Sequence, residues 1–222
     1  MDVRKYFGVN GSKKATGITV IIDIFRAATV SAYLFSKGVD KIFPVSTPKE
    51  AFAFKIKHPN CLLIGEEHGI KIDGFDYGNS PYEISRLTNL NDKVVVHRSS
   101  QGTQGIVNAS RASKIIFGSF TTCSAIVNYI QGDKNQIVSV VAMDGEGSED
   151  DLFADYLIAN LTHQPALHIN EIVARMKKHP DGWKFLDPNN HEFPEEDFYL
   201  CLGLDTFNFV PVLKNGYIVK SI

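Results

Sequence analysis

The sequence predicts a three-layer α/β/α fold around a mainly parallel, or mixed, β-sheet. Two observations indicate this class. Runs such as Ile18–Ile24 and Lys93–His97 are rich in β-branched and apolar residues, and their apolar character is continuous rather than alternating, which is typical of strands covered on both faces. Most of these runs are followed by a polar loop and then by a helical segment, which is the order of a βαβ unit.

Strands and helices alternate through the first third of the chain. Strands are predicted at Val3–Phe7, Ile18–Ile24, Val39–Val45 and Cys61–Ile64, with helices at Val30–Ser36 and from Thr47 to about His58. The helix that begins after Thr47 has a capping residue and a proline in its first turn, the usual composition of a helix N-terminus. After Val3–Phe7 the chain runs into Gly11-Ser12-Lys13-Lys14, which is predicted to be a polar link between the first two strands.

The same order continues to about residue 161. Helices are predicted at Tyr82–Leu90, at Ile106–Ala112, in a segment through Tyr129 and at Ser148–Leu161, with strands at Lys93–His97, Lys114–Phe117 and Gln136–Met143. The last third differs in character. It contains an amphipathic helix at Leu167–Lys178, a polar surface excursion at 179–196, a short helix at Asp197–Leu204 and a hairpin turned at Asn215-Gly216.

Composition limits the classes of function. The chain has 222 residues and a formal net charge of −2, so no basic surface for nucleic acid or an anionic membrane is expected. No apolar run approaches the ~20 residues that span a bilayer, and the N-terminus lacks the apolar core of a signal peptide. We expect a soluble cytoplasmic protein of one domain, residues 1–222. Two βαβ-rich lobes with an active cleft between them remain an alternative, as does a homodimer.

Cysteine and histidine spacing gives little support to a zinc or disulfide site. Cys61, Cys123 and Cys201 are widely spaced, odd in number and set in apolar surroundings, so we expect buried free thiols in a reducing compartment. His68 and His97 lie on candidate loops without the HExxH type of spacing, and they are weak candidates for metal ligands.

The stretch Gly65–Pro81 is the most informative part of the chain. It is a long polar loop after an apolar strand, and loops after parallel strands meet at one edge of the sheet, where α/β proteins bind ligands. The alternative is a solvated connection whose glycines and Asn-Ser-Pro end serve only as turn residues. Polar loops that begin at Asp23, His97, Ser119 and Asp144 should reach the same edge.

The residues of that edge suit a metal-assisted reaction on an anionic substrate. Carboxylates from several loops offer the hard oxygens that Mg²⁺ prefers: Asp23, Glu66, Asp76 and Asp144. Arg26 and Arg98 can hold phosphate or sulfonate as a fork, and Ser100–Thr103 offers hydroxyl and N–H groups at a helix start. Neither the P-loop nor the dinucleotide-binding motif is present in the sequence.

Several of these residues also have a purely structural interpretation. Arg26 could neutralise Asp23 in a structural ion pair. Glu149 and Asp150 follow Ser148 in the first turn of a predicted helix, where acids favour the helix dipole, and for these two residues we predict a structural role alone.

Six motifs follow one another in a specific order. They are Asp23-Ile-Phe-Arg26-Ala-Ala-Thr29, Gly65-Glu66, the segment Gly74–Pro81, Gly102-Thr103, Gly118-Ser119-Phe120, and Cys201-Leu202 with Asp205 and Val210-Pro211. In this order they resemble the 2-phosphosulfolactate phosphatases over roughly residues 18–216. The resemblance implies a Mg²⁺-dependent phosphatase that acts on a small anionic phosphoester, converting 2-phosphosulfolactate to sulfolactate and phosphate on a route toward coenzyme M.

Site residues follow from the resemblance motif by motif. Asp23, Glu66 and Asp76 would hold the metal or activate water. The residues that would bind the phosphate and the acid end of the substrate are Arg26, Thr29, Asn79, Ser80, Gly102 and Thr103.

The chain departs from the family pattern beside these motifs. Glu67-His68 stands where the family has arginine after Gly-Glu, Gln101 replaces asparagine before Gly102-Thr103, and Ala142–Asp144 replaces Cys-Ala-Gly. The sequence therefore leaves two hypotheses. The first is an active phosphohydrolase, supported by Asp23, Arg26 and Asp76. The second is a catalytically impaired relative that binds a small anion or a protein partner, and the acid at position 67 favours this second hypothesis.

Overall fold

The computed structural model describes residues 1–132 and 137–221, and ten strands within this part of the chain form one sheet. The strands are β1 Asp2–Phe7, β2 Gly17–Ile22, β3 Lys41–Val45, β4 Leu62–Glu67, β5 Ile70–Lys71, β6 Val94–Arg98, β7 Ala112–Gly118, β8 Ile137–Ala142, β9 Val210–Lys214 and β10 Tyr217–Ser221. Their order in the sheet is β1-β8-β2-β7-β9-β10-β3-β6-β4-β5.

Helices cover both faces of this sheet. They are α1 Gly8–Lys14, α2 Ala27–Ser36, α3 Pro48–Lys57, α4 Pro81–Ser85, α5 Gly102–Asn108, α6 Cys123–Gln131, α7 Glu149–Leu161, α8 Ile169–Met176, α9 Pro180–Leu186 and α10 Glu195–Cys201. Along β2, Val20 and Ile22 belong to one hydrophobic cluster and Ile21 belongs to another, so each face of the strand is buried. The three-layer α/β/α prediction is confirmed.

Two parallel blocks make up most of the sheet. One block contains β1, β8, β2 and β7, and the other contains β3, β6 and β4. The hairpin β9–β10 lies between them and pairs antiparallel with β7 and β3. Its turn residues Asn215 and Gly216 have φ values of 52° and 80°, the backbone that a tight hairpin turn requires.

Local signals explain where several helices begin. Thr47 and Glu50 form the predicted capping box before α3, and the Ser148 hydroxyl accepts the Asp151 N–H at 3.2 Å before α7. The three cysteines are buried free thiols, as predicted. None of the described helices is long and apolar enough to span a bilayer.

Some predicted boundaries are wrong. Residues 8–14 form α1 rather than a polar link, and the helix predicted at Tyr82–Leu90 is the single turn α4. The strand predicted to end at Ile64 continues as β4 to Glu67 and pairs with β5, so part of the Gly65–Pro81 loop is a hairpin. The strand predicted at Val39–Val45 is the shorter β3, Lys41–Val45, and includes Pro44. Gln136, the predicted start of β8, lies outside the described residues.

The helix before β7 and the polar excursion also differ from prediction. The helix α5 begins at Gly102 and ends at Asn108, earlier than the predicted Ile106–Ala112. The excursion at 179–196 contains α9, whose Phe185 is buried in the core. This segment therefore packs onto the domain instead of projecting into solvent.

Candidate active site

A cavity of about 230 Å³ opens at the carboxyl ends of the parallel strands. Its wall includes residues that follow β2, β6 and β8 and one at the end of β4, as expected for an α/β sheet. Five carboxylates line it: Asp23, Glu66, Asp144, Glu149 and Asp150. Of the five loops predicted to gather at this edge, the one at Ser119–Thr122 contributes no lining residue.

Asp23 is fixed by two helix starts. Its Oδ1 accepts the Ala27 N–H of α2 at 2.9 Å, and its Oδ2 accepts the Gly102 N–H of α5 at 2.7 Å. Burial, together with the negative charges of Glu66 and Asp144, raises the pKa of Asp23 to about 6, against the two N–H groups that lower it. Asp23 therefore lies in a cluster of like charges that a cation would stabilise.

Glu66 is held by the turn between β4 and β5 and by the loop after β6. Its Oε1 accepts the Ser100 N–H at 2.6 Å, and its Oε2 accepts the Gly69 N–H at 2.6 Å and the Ser100 hydroxyl at 3.1 Å. The side chain is buried, and these donors fix its carboxylate at the cavity wall. Two carboxylates predicted from the sequence, Asp23 and Glu66, are therefore together in one site.

Glu149 and Asp150 also line the cavity, so the prediction of a structural role alone was incomplete. Asp150 accepts the Ile24 N–H at 2.7 Å and the Asp144 N–H at 3.1 Å, and it ties α7 to the loops after β2 and β8. Within the described part of the chain, Oε2 of Glu149 has no hydrogen-bond partner. Burial raises the pKa of Glu149 to about 8. A sequence signal existed, because these acids begin the helix that follows a strand ending at this edge.

Arg26 lines the cavity, and three of its N–H groups donate to partners inside the protein. Its Nη1 donates to Oδ2 of Asp197 at 3.0 Å and to the Glu192 carbonyl at 3.1 Å, and its Nη2 donates to the Gly69 carbonyl at 2.8 Å. The guanidinium also lies 4.6 Å from the ring centre of Phe193. The alternative that Arg26 neutralises Asp23 is wrong about the partner, which is Asp197.

Three hydroxyls predicted to bind substrate serve the backbone instead and do not line the cavity. Thr29 donates to the Ile24 carbonyl at 3.1 Å, and Thr103 donates to the Ser99 carbonyl at 3.0 Å. Ser80 caps α4 and donates to Asp197 at 2.8 Å. These contacts position the loops around the cavity without reaching into it.

Asn79 and Gly102 were also predicted to bind substrate, and both lie closer to the cavity than these three hydroxyls. Asn79 lines the cavity, and its Oδ1 lies 2.9 Å from Nε2 of His97. Gly102 approaches the site only through its N–H on Asp23. His97 is fully buried, and burial lowers its pKa to about 4, so it supports Asn79 rather than acting as a ligand in the cavity. His68 lines the cavity.

Asp76 and Arg98 lie outside the cavity wall. Asp76 accepts the Leu63 N–H at 2.7 Å, and its other neighbour is Lys55 at 3.4 Å, so it fastens the loop to β4. Arg98 pairs with Glu67 at 3.0 Å and donates to the Glu66 carbonyl. The structure thus does not bring Asp76 together with Asp23 and Glu66.

The donor set of the cavity fits a hard divalent cation with water in its shell. Within residues 1–132 and 137–221, no three His, Cys, Asp or Glu side chains converge closely enough to hold a metal by themselves. Mg²⁺ does not need such a cage, because it usually takes one or two carboxylates together with water and substrate oxygens. Asp23 and Glu66, with the charge of Asp144 beside them, meet that requirement.

Comparisons with known proteins agree on one family. A family model described as 2-phosphosulpholactate phosphatase matches residues 8–216. A protein of Bacillus subtilis named probable 2-phosphosulfolactate phosphatase is 29% identical over 224 residues, covering 100% of this chain and 98% of its own length. A Thermoplasma acidophilum protein of the same name is 31% identical over 208 residues, covering 92% of this chain and 89% of its own.

Proposed function

Because the chain belongs to the 2-phosphosulfolactate phosphatase family, we propose that it is a Mg²⁺-dependent phosphatase acting on a small acidic phosphomonoester. The proposed substrate is 2-phosphosulfolactate, which is the compound in the printed names of its relatives. The products are sulfolactate and phosphate. This proposal keeps the first of the two hypotheses that the sequence left open.

One observation carries the proposal: five carboxylates converge on a small cavity at the carboxyl edge of the sheet. Even with Glu149 protonated, several ionised carboxylates on one wall have no benefit for an anionic substrate unless a cation is present between them. A cavity of about 230 Å³ is also small, which suits a three-carbon phosphoester better than a nucleotide or a peptide.

Asp23 and Glu66 are the residues that would hold Mg²⁺ in this site. The ion would neutralise negative charge on the phosphoryl oxygens. The chain itself fixes both carboxylates through N–H groups of the backbone: Ala27 and Gly102 for Asp23, and Gly69 and Ser100 for Glu66. This fixed arrangement reduces the rearrangement needed when the substrate binds.

Glu149 is proposed to supply the proton for the leaving group. Its raised pKa keeps the carboxyl protonated at neutral pH, and its Oε2 has no hydrogen-bond partner among the described residues. The oxygen of a water molecule joins phosphorus, the ester P–O bond breaks, and its electron pair stays on the sulfolactate oxygen. That oxygen takes the proton of Glu149, and the proton lost by the water restores it.

The departure at Glu67 does not count against catalysis. Its side chain does not line the cavity, and Arg98 pairs with it at 3.0 Å. The acid therefore adds little repulsion for an anionic substrate. The position of Glu67 therefore supports the first hypothesis over the second, an impaired relative that only binds an anion or a protein.

Phosphate release is the direct test of the proposal. The wild-type protein is given 2-phosphosulfolactate, 2-phospholactate and phenyl phosphate, each with Mg²⁺ and with a chelator. We expect Mg²⁺-dependent release that falls at least about 100-fold in Asp23→Asn, since one charged donor of the site is lost. Asp92→Asn, which changes an acid outside the cavity, is the matched control and should keep wild-type rates. If no ester released phosphate, the second hypothesis, a relative that only binds an anion or a protein, would be favoured.

A further inference from the structure

The two arginines predicted to bind substrate are both used inside the protein. Arg26 is 3% exposed and divides its donors among Asp197, Glu192 and Gly69. Arg98 lies outside the cavity wall and pairs with Glu67. Both guanidinium groups are thus held by partners inside the protein, and the acid groups that the substrate carries in addition to its phosphate would benefit from a further cation on the wall.

Lys184 is a cation of the cavity wall, and no described residue accepts a hydrogen bond from its ammonium group. Its nearest carboxylate is Asp181, 4.0 Å from Nζ, which is longer than a hydrogen bond. The ammonium group also lies 5.1 Å from the ring centre of Phe193, and its side chain is 33% exposed. Its three N–H donors are therefore available to a molecule in the cavity.

The backbone around Lys184 is firmly placed. It lies on α9, where the next residue, Phe185, is buried at 1% exposure and packs against Phe25 and Phe193. Two residues earlier, Gly182 is so close to α8 that a Cβ would lie 2.0 Å from the Met176 carbonyl oxygen. These contacts fix the position of α9 beside the cavity. Lys184 therefore lines the cavity from a helix whose backbone is held in place.

The positive charge of Lys184 acts on an acidic side chain of the cavity wall. It lowers the pKa of Glu149, against the larger effect of burial, so the two side chains are electrostatic neighbours. If Asp23 and Glu66 bind the phosphoryl end through a cation, the carboxylate and the sulfonate of the substrate need positive partners elsewhere on the wall. Lys184 is in a position to provide one.

We propose that Lys184 binds the sulfonate or carboxylate of the substrate and thereby selects acidic phosphoesters over neutral ones. This inference rests on the proposed function and extends it to a specificity-determining residue. It also gives the segment 179–196 a role, because that segment brings a cation to a site otherwise dominated by acids.

The test compares two substrates and three variants. In Lys184→Gln we expect KM for 2-phosphosulfolactate to rise about tenfold or more, the loss expected for one charge-assisted contact, with kcat changed little. KM for phenyl phosphate, which has no second acid group, should stay within about twofold. Lys184→Arg should recover part of the loss. Lys177→Gln, an exposed lysine beside α8 that does not line the cavity, should behave as wild type.

An equal rise in KM for both esters would overturn the inference, because Lys184 would then bind phosphate or shape the cavity. No change for either ester would also overturn it. Thermal unfolding of each variant shows whether the fold is retained, and Lys184→Met provides a second neutral variant.

A binding experiment separates this inference from the proposed function. Sulfoacetate carries a sulfonate and a carboxylate but no phosphate, and titration calorimetry measures its binding without turnover. We expect wild type and Lys177→Gln to bind it and Lys184→Gln to bind it at least about tenfold more weakly. That result would support the role of Lys184 even if the wild-type protein released no phosphate from any ester. Equal binding by all three proteins would contradict it.

Discussion

The Gly102 N–H donates to Oδ2 of Asp23 at 2.7 Å and joins two parts of the chain that are 79 residues apart. The other oxygen of Asp23 accepts the Ala27 N–H, so one carboxylate connects the starts of α2 and α5. Because both helices are packed on the sheet, the position of Asp23 is fixed by the fold rather than by its own rotamer. The close approach is possible because residue 102 has no side chain.

Gly102→Ala should therefore disturb both stability and catalysis. A Cβ at this position would lie 2.6 Å from Asp23 Oδ2 and 2.8 Å from Phe117 Cζ. We expect a loss of about 1–3 kcal/mol in the free energy of unfolding and a fall in phosphate release, since Asp23 must move. Gly145→Ala is the control, because no heavy atom lies within 4 Å of its Cβ. Equal effects of the two substitutions in denaturant unfolding and in phosphate release would contradict the prediction.

Arg26→Met should destabilise the protein strongly. Its partner Asp197 is 0% exposed, and removing the guanidinium leaves a buried carboxylate without its cation, which typically costs about 3–5 kcal/mol. The exposed pair Arg4–Asp2 is the comparison, and Arg4→Met should leave the free energy of unfolding almost unchanged. Urea unfolding of both variants measures the difference. A small effect at Arg26 would mean that Asp197 is protonated or hydrated in the variant.

The buried His97 should lower the free energy of unfolding at acid pH. Burial lowers its pKa in the folded chain from 6.5 to about 4, so below pH 6.5 the unfolded chain binds a proton that the folded chain excludes. Stability is therefore lost as the pH falls from 6.5 towards 4, by about 3 kcal/mol in total. His97→Gln should remove this component, whereas His163→Asn, at an exposed position, should not. Urea unfolding between pH 4 and 7.5 compares the three proteins.

Glu149→Gln should lower kcat, and the size of the loss should depend on the leaving group of the ester. An alkoxide such as that of sulfolactate needs a proton as the P–O bond breaks, whereas p-nitrophenolate leaves without one. We expect a loss of about 100-fold or more with 2-phosphosulfolactate and a much smaller loss with p-nitrophenyl phosphate, measured as kcat. Glu146→Gln, an exposed acid on the same loop, should affect neither ester. Equal losses for both esters would remove Glu149 from the role of acid.

The sequence predicted the elements whose signals are local. Continuous apolar runs marked the central strands, and Asn215-Gly216 marked the hairpin, because the residues that form these elements also carry the pattern. The gathering of Asp23 and Glu66 at one edge followed from parallel topology alone. The same reasoning could not give the direction of Asp76. Polar loops have no periodicity, and this side chain turns towards β4 instead of the cavity.

Long-range pairings were the main part that sequence reasoning missed. Asp197 is 171 residues from Arg26 and lies in the first turn of α10, where an acid is already explained by the helix dipole. Glu149 and Asp150 were explained in the same way, although they also face the cavity. Lys184 lies in a segment rich in turn-forming residues, which resembled a solvated loop. In each case a sufficient local reason concealed a tertiary position that the sequence alone does not give.

Magnesium should stabilise the folded protein through Asp23 and Glu66 but not through Asp76. A ligand present at 100 times its Kd adds about 2.7 kcal/mol to the free energy of unfolding, or about 5 °C or more in Tm for a domain of this size. We expect Glu66→Gln to lose most of this shift, because it removes a charge from the cavity wall, and Asp76→Asn to retain it. Thermal unfolding with Mg²⁺ and with chelator measures the shift. The reverse pattern would place the metal at the motif acid Asp76 instead, and no shift in the wild-type protein would argue against a magnesium site in the cavity.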